Sequence, residues 1–176
     1  MTLFGHIAGG YLVGSVLASH LESNSQRSKW LRLLGACGGL LPDLDGLYYY
    51  ISRGTFRQGP DFQHHTWITH TFPFYVIPGL LLYIWGKVSK RESLANASLV
   101  VTAGACVHLV QDMFGSGDGI RLFYPFSTKM FGVRLMGVHG EEWRSKYMRD
   151  PIFLLEVVIT IAGLLVGLRR LLSKVR

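Results

Sequence analysis

The stretch His64-His65-Thr66-Trp67-Ile68-Thr69-His70-Thr71 runs directly into an apolar segment, Phe72 to Gly86. Three imidazoles and three hydroxyls fall within its eight residues. Neutral imidazole is a common metal ligand, and carboxylates complete sites for hard and borderline ions. Other residues of ligand type occupy the same kind of place, at the edges of apolar segments: His6, Asp43, Asp45, His108 and Asp112. The pattern predicts an all-α fold: a polytopic membrane helix bundle of about five membrane segments, with a metal site where several helices end. A polar outer loop region would cover that end.

Composition supports a membrane setting. Of 176 residues, 49% are apolar and only 16% charged, against roughly 25% charged in ordinary soluble domains. The length predicts one domain over 1–176. The competing reading is a soluble all-α domain with fully buried helices, since short apolar runs look alike in both. The net charge of +7 does not predict nucleic-acid binding, because the basic residues sit in the short connections between apolar blocks. That distribution is how membrane proteins set their orientation. Cys37 and Cys106 lie inside apolar stretches and read as small core residues.

Five apolar segments are legible: Leu3–Leu21, Trp30–Leu41, Phe72–Gly86, Leu94–Val110 and Ile152–Leu168. The first is rich in glycine, which lets membrane helices pack closely. The link 22–29 reads as a loop. Pro42 stops the second segment and is followed at once by Asp43 and Asp45. Tyr48, Tyr49 and Tyr50 suit a membrane interface. Pro73 and Pro78 interrupt the third segment. His108 and Asp112 are four apart, so one helix face presents both.

If each segment crosses once, one side of the membrane collects Arg27, Lys29, Arg32, Lys87, Lys90, Arg91, Arg169, Arg170, Lys174 and Arg176. Only Glu22 and Glu92 oppose these ten. That side should be cytoplasmic. The same threading puts His6, Asp43, Asp45, His64, His65, His70, His108 and Asp112 on the opposite, outer side, and His20 on the inner. It predicts an integral protein of the cell's inner membrane with its site on the extracytoplasmic face.

Four motifs occur in order: Gly39-Leu-Leu-Pro-Asp-Leu-Asp45, the stretch from His65 ending Thr69-His70-Thr71, His108-Leu-Val-Gln-Asp112, and the Gly119–Ser127 loop ending Tyr-Pro-Phe-Ser. Together they resemble the bacterial and archaeal membrane-bound metal-dependent hydrolases (domain of unknown function 457), over roughly residues 1 to 130. That family is distantly similar to zinc-dependent phospholipase C. The resemblance implies a ligand pattern carried here by His6, Asp43 or Asp45, His65 or His70, His108 and Asp112. Two departures stand out. Thr66 replaces the arginine that usually follows the first histidine of the second motif. His139 is followed by Glu141 and Glu142 rather than by glutamate at the fourth position, so a third metal is not expected.

Histidine and aspartate without cysteine suit one or two zinc ions, with manganese or iron as alternatives. Asp43 or Asp45 would bridge ions or act as general base. His64, Thr66 and Thr69 would orient the ligands, and Arg121 would neutralise a phosphate. Phe72, Phe74, Phe114, Phe123 and Phe126 would offer apolar walls to acyl chains. The expected partners are the lipid bilayer and a lipid-like phosphoester substrate. Each feature also has a plain structural reading: Pro-Asp-Leu-Asp as a helix stop and turn, His108 with Asp112 as a packing pair, Glu156 as a contact between helices. Two other functions fit the same residues. A metal or proton transporter would place ligands at the midplane and both faces. A non-catalytic adaptor would use a structural metal to staple helices.

Overall fold

Asn24 and Pro42 delimit one helix of the bundle, and both act through backbone chemistry. The Asn24 side chain accepts the free N–H groups of Gln26 and Arg27, each at 3.0 Å, which starts α2 (Ser25–Leu40). Pro42 then falls in a 3-10 turn, Leu41–Asp43, that leads into α3 (Leu44–Arg53). α3 ends on Gly54, whose φ of 64° closes the helix in the left-handed region. The link expected to be a loop over 22–29 is therefore only 22–24. A side-chain cap lets a polar, helix-compatible run join the apolar segment that follows.

The computed structural model describes residues 1–54, 64–115, 119–133 and 140–172. Its other helices are α1 (Leu3–Leu21), α4 (Phe72–Val88), α5 (Glu92–Gly115), α6 (Gly140–Tyr147) and α7 (Pro151–Leu172). Two further 3-10 turns, His64–Thr66 and Ile68–His70, precede α4. The described residues are all-α apart from a single bridge, Ile120 to Phe131. The prolines do not break α4. Pro73 occupies its first turn, where no N–H is needed, and Pro78 is carried inside it.

α1, α2 and α5 form the centre of the bundle, with α4 packed on α5 and α7 on α1. Glycine is what lets the central three meet. A Cβ on Gly104 of α5 would strike the carbonyl of Gly35 in α2, and one on Gly14 of α1 would lie 3.0 Å from the Gly35 Cα. Backbone therefore packs on backbone, as in small-residue membrane interfaces. The same contact holds Gly39 against His6, whose carbonyl a Gly39 Cβ would meet. At the far end of the bundle Ala18, Leu31 and Val100 form a buried cluster.

Two helices, α5 and α7, are long and apolar enough to cross a membrane. α4 is apolar but has 17 residues; that is about 26 Å of helix against about 30 Å of hydrocarbon. α2 has 16 residues and carries Arg27, Lys29 and Arg32, with Arg32 buried against the Ser28 hydroxyl at 2.6 Å. α1, with a histidine near each end, is not among the helices long and apolar enough. Five full-length crossings are thus not displayed: α4 is short, α2 is short and basic, and α1, rich in glycine with two histidines, falls outside the set. α4 and α7 instead turn large apolar side chains outward. Leu81 is 63% and Trp85 61% exposed on α4; Leu154 is 66% and Leu164 68% exposed on α7. Bare surfaces of this kind belong against lipid or a partner.

Candidate metal centre

One end of the bundle collects the N-termini of α1, α4 and α7 and the C-termini of α2 and α5. His6 enters from α1, Asp43 from the turn after α2, His65 and His70 from the turns before α4, and His108 and Asp112 from α5. The His6 and His108 rings stack with centroids 3.7 Å apart, and the His70 ring lies 5.5 Å from His108. His6, His70, His108 and Asp112 are essentially removed from solvent. Asp43 and His65 form the rim, their side chains 23% and 13% exposed.

Three of the imidazoles are oriented from behind. Nδ1–H of His108 donates to the Gly39 carbonyl at 2.7 Å. Nδ1 of His6 meets Oε1 of Gln111 at 3.2 Å, and the Gln111 amide is fixed by donating to the Gly5 carbonyl at 2.9 Å. Nδ1 of His70 meets Oδ2 of Asp45 at 3.2 Å. In each ring this leaves Nε2 for the centre, the arrangement of metal-binding histidines whose second nitrogen is held by an acceptor.

The Nε2 atoms converge on two carboxylates. Asp112 Oδ1 lies 3.1 Å from His6 Nε2, and its Oδ2 lies 3.0 Å from His108 and 3.8 Å from both His65 and His70. Asp43 Oδ1 is 3.7 Å from His108 Nε2 and 3.9 Å from His70 Nε2. Two groups result, His6/Asp43/His108 and His65/His70/Asp112, each with its ligand atoms within 4.8 Å of one another. Asp43 and Asp112 contact histidines of both groups, so the two form one centre. The Met1 amino group also reaches Asp112 Oδ1, at 2.7 Å.

These positions fit a metal ion. His108 Nε2 and Asp112 Oδ2 are both buried, face each other and have no hydrogen-bond partner among the described residues. With Nδ1–H committed to Gly39, Nε2 of the neutral ring carries a lone pair. Two lone pairs at 3.0 Å repel unless a proton or a metal ion lies between them. Ligands about 2.0–2.2 Å from one tetrahedral ion stand about 3.3–3.6 Å from each other; the closer imidazole–carboxylate approaches here run from 3.0 to 3.9 Å, and all ligand atoms of each group lie within 4.8 Å of one another. Burying Asp112 costs several kcal/mol unless its charge is balanced, and the Met1 amino group at 2.7 Å is the cation the described residues supply to Oδ1, leaving Oδ2 for another. The buried triads can therefore hold a metal ion.

Of the seven ligands expected from sequence, six belong to the two groups. Asp45 stands one residue further out: its carboxylate accepts from the Thr69 hydroxyl and holds His70 from behind. Arg121 is next to the centre, its backbone N–H donating to the His65 carbonyl at 3.3 Å. Its Nε is buried without a hydrogen-bond partner among the described residues. Thr66 lies in the turn that carries His65. His139 lies outside the described residues, as do the side chains of His64, Glu141 and Glu142. His20 is exposed at the opposite end of α1, its Nδ1 2.9 Å from the Val16 carbonyl.

Sequence reasoning missed Gln111 and the Gly39 carbonyl as orienting groups. The signal for Gln111 was its place beside Asp112, a polar residue inside an apolar helix. Glu156 proves to be the contact between helices. Its carboxylate accepts from the Thr2 backbone N–H at 2.9 Å, from the Thr2 hydroxyl and from the Tyr147 hydroxyl. A negative charge there complements the N-terminus of α1, one turn from His6. Tyr147 is held above the usual phenol pKa by burial and by Glu156, so its hydroxyl keeps the proton it donates.

No curated protein and no solved structure matches the chain. A family model described as YdjM inner membrane protein matches residues 1–172. That match spans every described helix, including α5 and α7 with their exposed apolar faces, and the chain belongs to the YdjM inner membrane protein family.

Proposed function

We propose that this protein is a membrane-embedded metal-dependent hydrolase that cleaves a phosphoester of a lipid or lipid-like substrate at the outer membrane face of the bundle. The family description names an inner membrane and no reaction, so the reading rests on the centre. The observation that carries it is a buried histidine–aspartate cluster, oriented from behind, whose rim at Asp43 and His65 stays open to solvent. A purely structural site is closed, whereas a catalytic one keeps a position for water. The burial of His70 and His108 favours a structural staple as the second reading. A transporter is favoured less, because the described ligand residues gather at one end only.

We assign one or two zinc ions, with manganese or iron as substitutes suited to the same donors. His6, His65, His70, His108, Asp43 and Asp112 would hold them. A divalent ion bound there supplies a Lewis acid and a water that deprotonates near neutral pH. Asp43, at the rim, is placed to accept the water proton. Asp45 keeps the His70 ring in register through Nδ1, with Thr69 steadying the carboxylate. The Arg121 guanidinium, whose Nε lacks an internal partner, is suited to pair with a phosphate. α5 and α7 would cross the membrane, with α1, α2 and α4 embedded beside them and the centre on the extracytoplasmic side.

The test is release of phosphate or phosphorylated head group from a mixed phospholipid panel by zinc-loaded protein. Release should stop with a chelator and return with zinc. If the loaded protein cleaves no lipid phosphoester, the hydrolase reading falls and the structural-metal reading takes its place.

A further inference from the structure

An apolar groove of about 440 Å³ lies beside the centre, lined chiefly by Phe72, Val76, Ile77, Cys106, Phe123 and Phe126. It runs between α4 and α5 under the loop after Arg121. No charged side chain and no hydroxyl lines it. Two links join it to the centre. Phe72 is two residues beyond His70, and Phe123 two beyond Arg121, so each begins within about 7 Å along the chain. The Phe72 N–H donates to the Leu122 carbonyl at 2.8 Å, which clamps the loop to the start of α4. Ile120 and Leu122 are buried against Leu109 and fix the loop's base. Its tip is left bare, with Phe126 79% exposed.

We infer that this groove takes one acyl chain of a bilayer lipid and delivers the head group to the histidine–aspartate centre sideways from the leaflet. The inference rests on the hydrolase reading and names its substrate as a membrane-resident lipid rather than a water-soluble phosphoester. Three observations commit the occupant. The groove opens on the outward apolar face of α4, continuous with exposed Ile77, Leu80 and Leu81. The chain belongs to an inner-membrane family, so hydrocarbon is the medium that face meets. Arg121 is tied to the centre through its backbone N–H on the His65 carbonyl and is two residues from Phe123 of the groove, and its buried Nε has no hydrogen-bond partner among the described residues. A peptide would leave its amides unpaired against such walls. Of the aromatic walls expected from sequence, Phe72, Phe123 and Phe126 line the groove, and Phe74 and Phe114 do not.

The experiment uses the full chain in vesicles containing phosphatidylglycerol with a diazirine on one acyl chain. After irradiation, labelled positions are mapped by mass spectrometry, and the exposed face of α7 around Leu164 and Leu168 reports ordinary boundary lipid. Labelling of Val76, Ile77, Cys106 and Phe126 should exceed the α7 level several-fold. Cys106→Trp, which fills the groove, should bring it down to that level while bound metal stays at the wild-type amount. Equal labelling of groove and α7 in wild-type protein overturns the inference, whatever the variant does. Selective labelling without lipid cleavage would retain the lipid site and reject the hydrolase. Cleavage with equal labelling would do the reverse.

Discussion

Asp45 and His70 are joined through Nδ1 of the imidazole, at 3.2 Å, and not through the nitrogen that faces the centre. Asp45 thus acts on the centre by way of His70. Removing an acceptor of this kind typically lowers metal affinity 10- to 100-fold. Asp45→Ala should weaken metal binding by about that factor, with helical content unchanged. Asp45→Asn keeps an oxygen that can accept and should lie between the two. Chelator competition on purified protein gives the affinities, and wild-type binding by Asp45→Ala would remove Asp45 from the site.

His108 and Asp112 approach to 3.0 Å; His108 also meets His6, His70 and Asp43, and Asp112 meets His6, His65 and His70. His108→Ala and Asp112→Ala should each strip most of the metal, because losing one ligand of a few opens the shell. His20→Ala, at the far end of α1, should retain it. Elemental analysis decides this, and full occupancy in the double variant would refute the assignment.

Gly104 touches Gly35, Gly38 and Gly39 where α5 crosses α2. A larger side chain there must push backbone aside, and overpacking costs about 1–3 kcal/mol. Gly104→Val should lower thermal stability and also weaken metal binding, since the crossing holds the Gly39 carbonyl against His108. Gly54→Ala, at a left-handed position with open space around it, should cost stability without touching the metal. Equal metal affinity in Gly104→Val and wild type would uncouple the glycine crossing from the centre.

The basic connections predict that Ser89 and the C-terminus lie in the cytoplasm and the N-terminal end of α1 outside. Activity-based reporters fused at Ser89 and at Arg176 should give the same cytoplasmic signal. Opposite signals at the two positions would break this arrangement, and extracytoplasmic signals at both would move the centre to the inner face.

The gathering of the candidate ligands at one end was legible because it follows from chain order alone. His6, Asp43, His65, His70, His108 and Asp112 all sit at boundaries of apolar segments. Alternating the direction of those segments puts every one of them at the same end. Helix type and approximate bounds were legible for the same reason, since apolar blocks of that length have few other ways to satisfy their backbone. Local chemistry was harder to see: a side-chain cap at Asn24 extended α2 through a polar run, and Pro73 and Pro78 fitted inside α4. Which carboxylate joins the histidine groups and which stands behind His70 was a matter of tertiary structure alone. Asp43 and Asp45 are two residues apart, with the same chemistry and Leu44 between them. Only the turn at Pro42 and the glycine-to-glycine contact of α1, α2 and α5 set Asp43 beside His108 and turned Asp45 onto the back of His70. The role of Gln111 and the partnership of Glu156 with Thr2 and Tyr147 depend on contacts more than 100 residues apart or between different helices. Residue type and spacing carry no record of such contacts, because they arise when helices pack and their buried polar atoms must find partners.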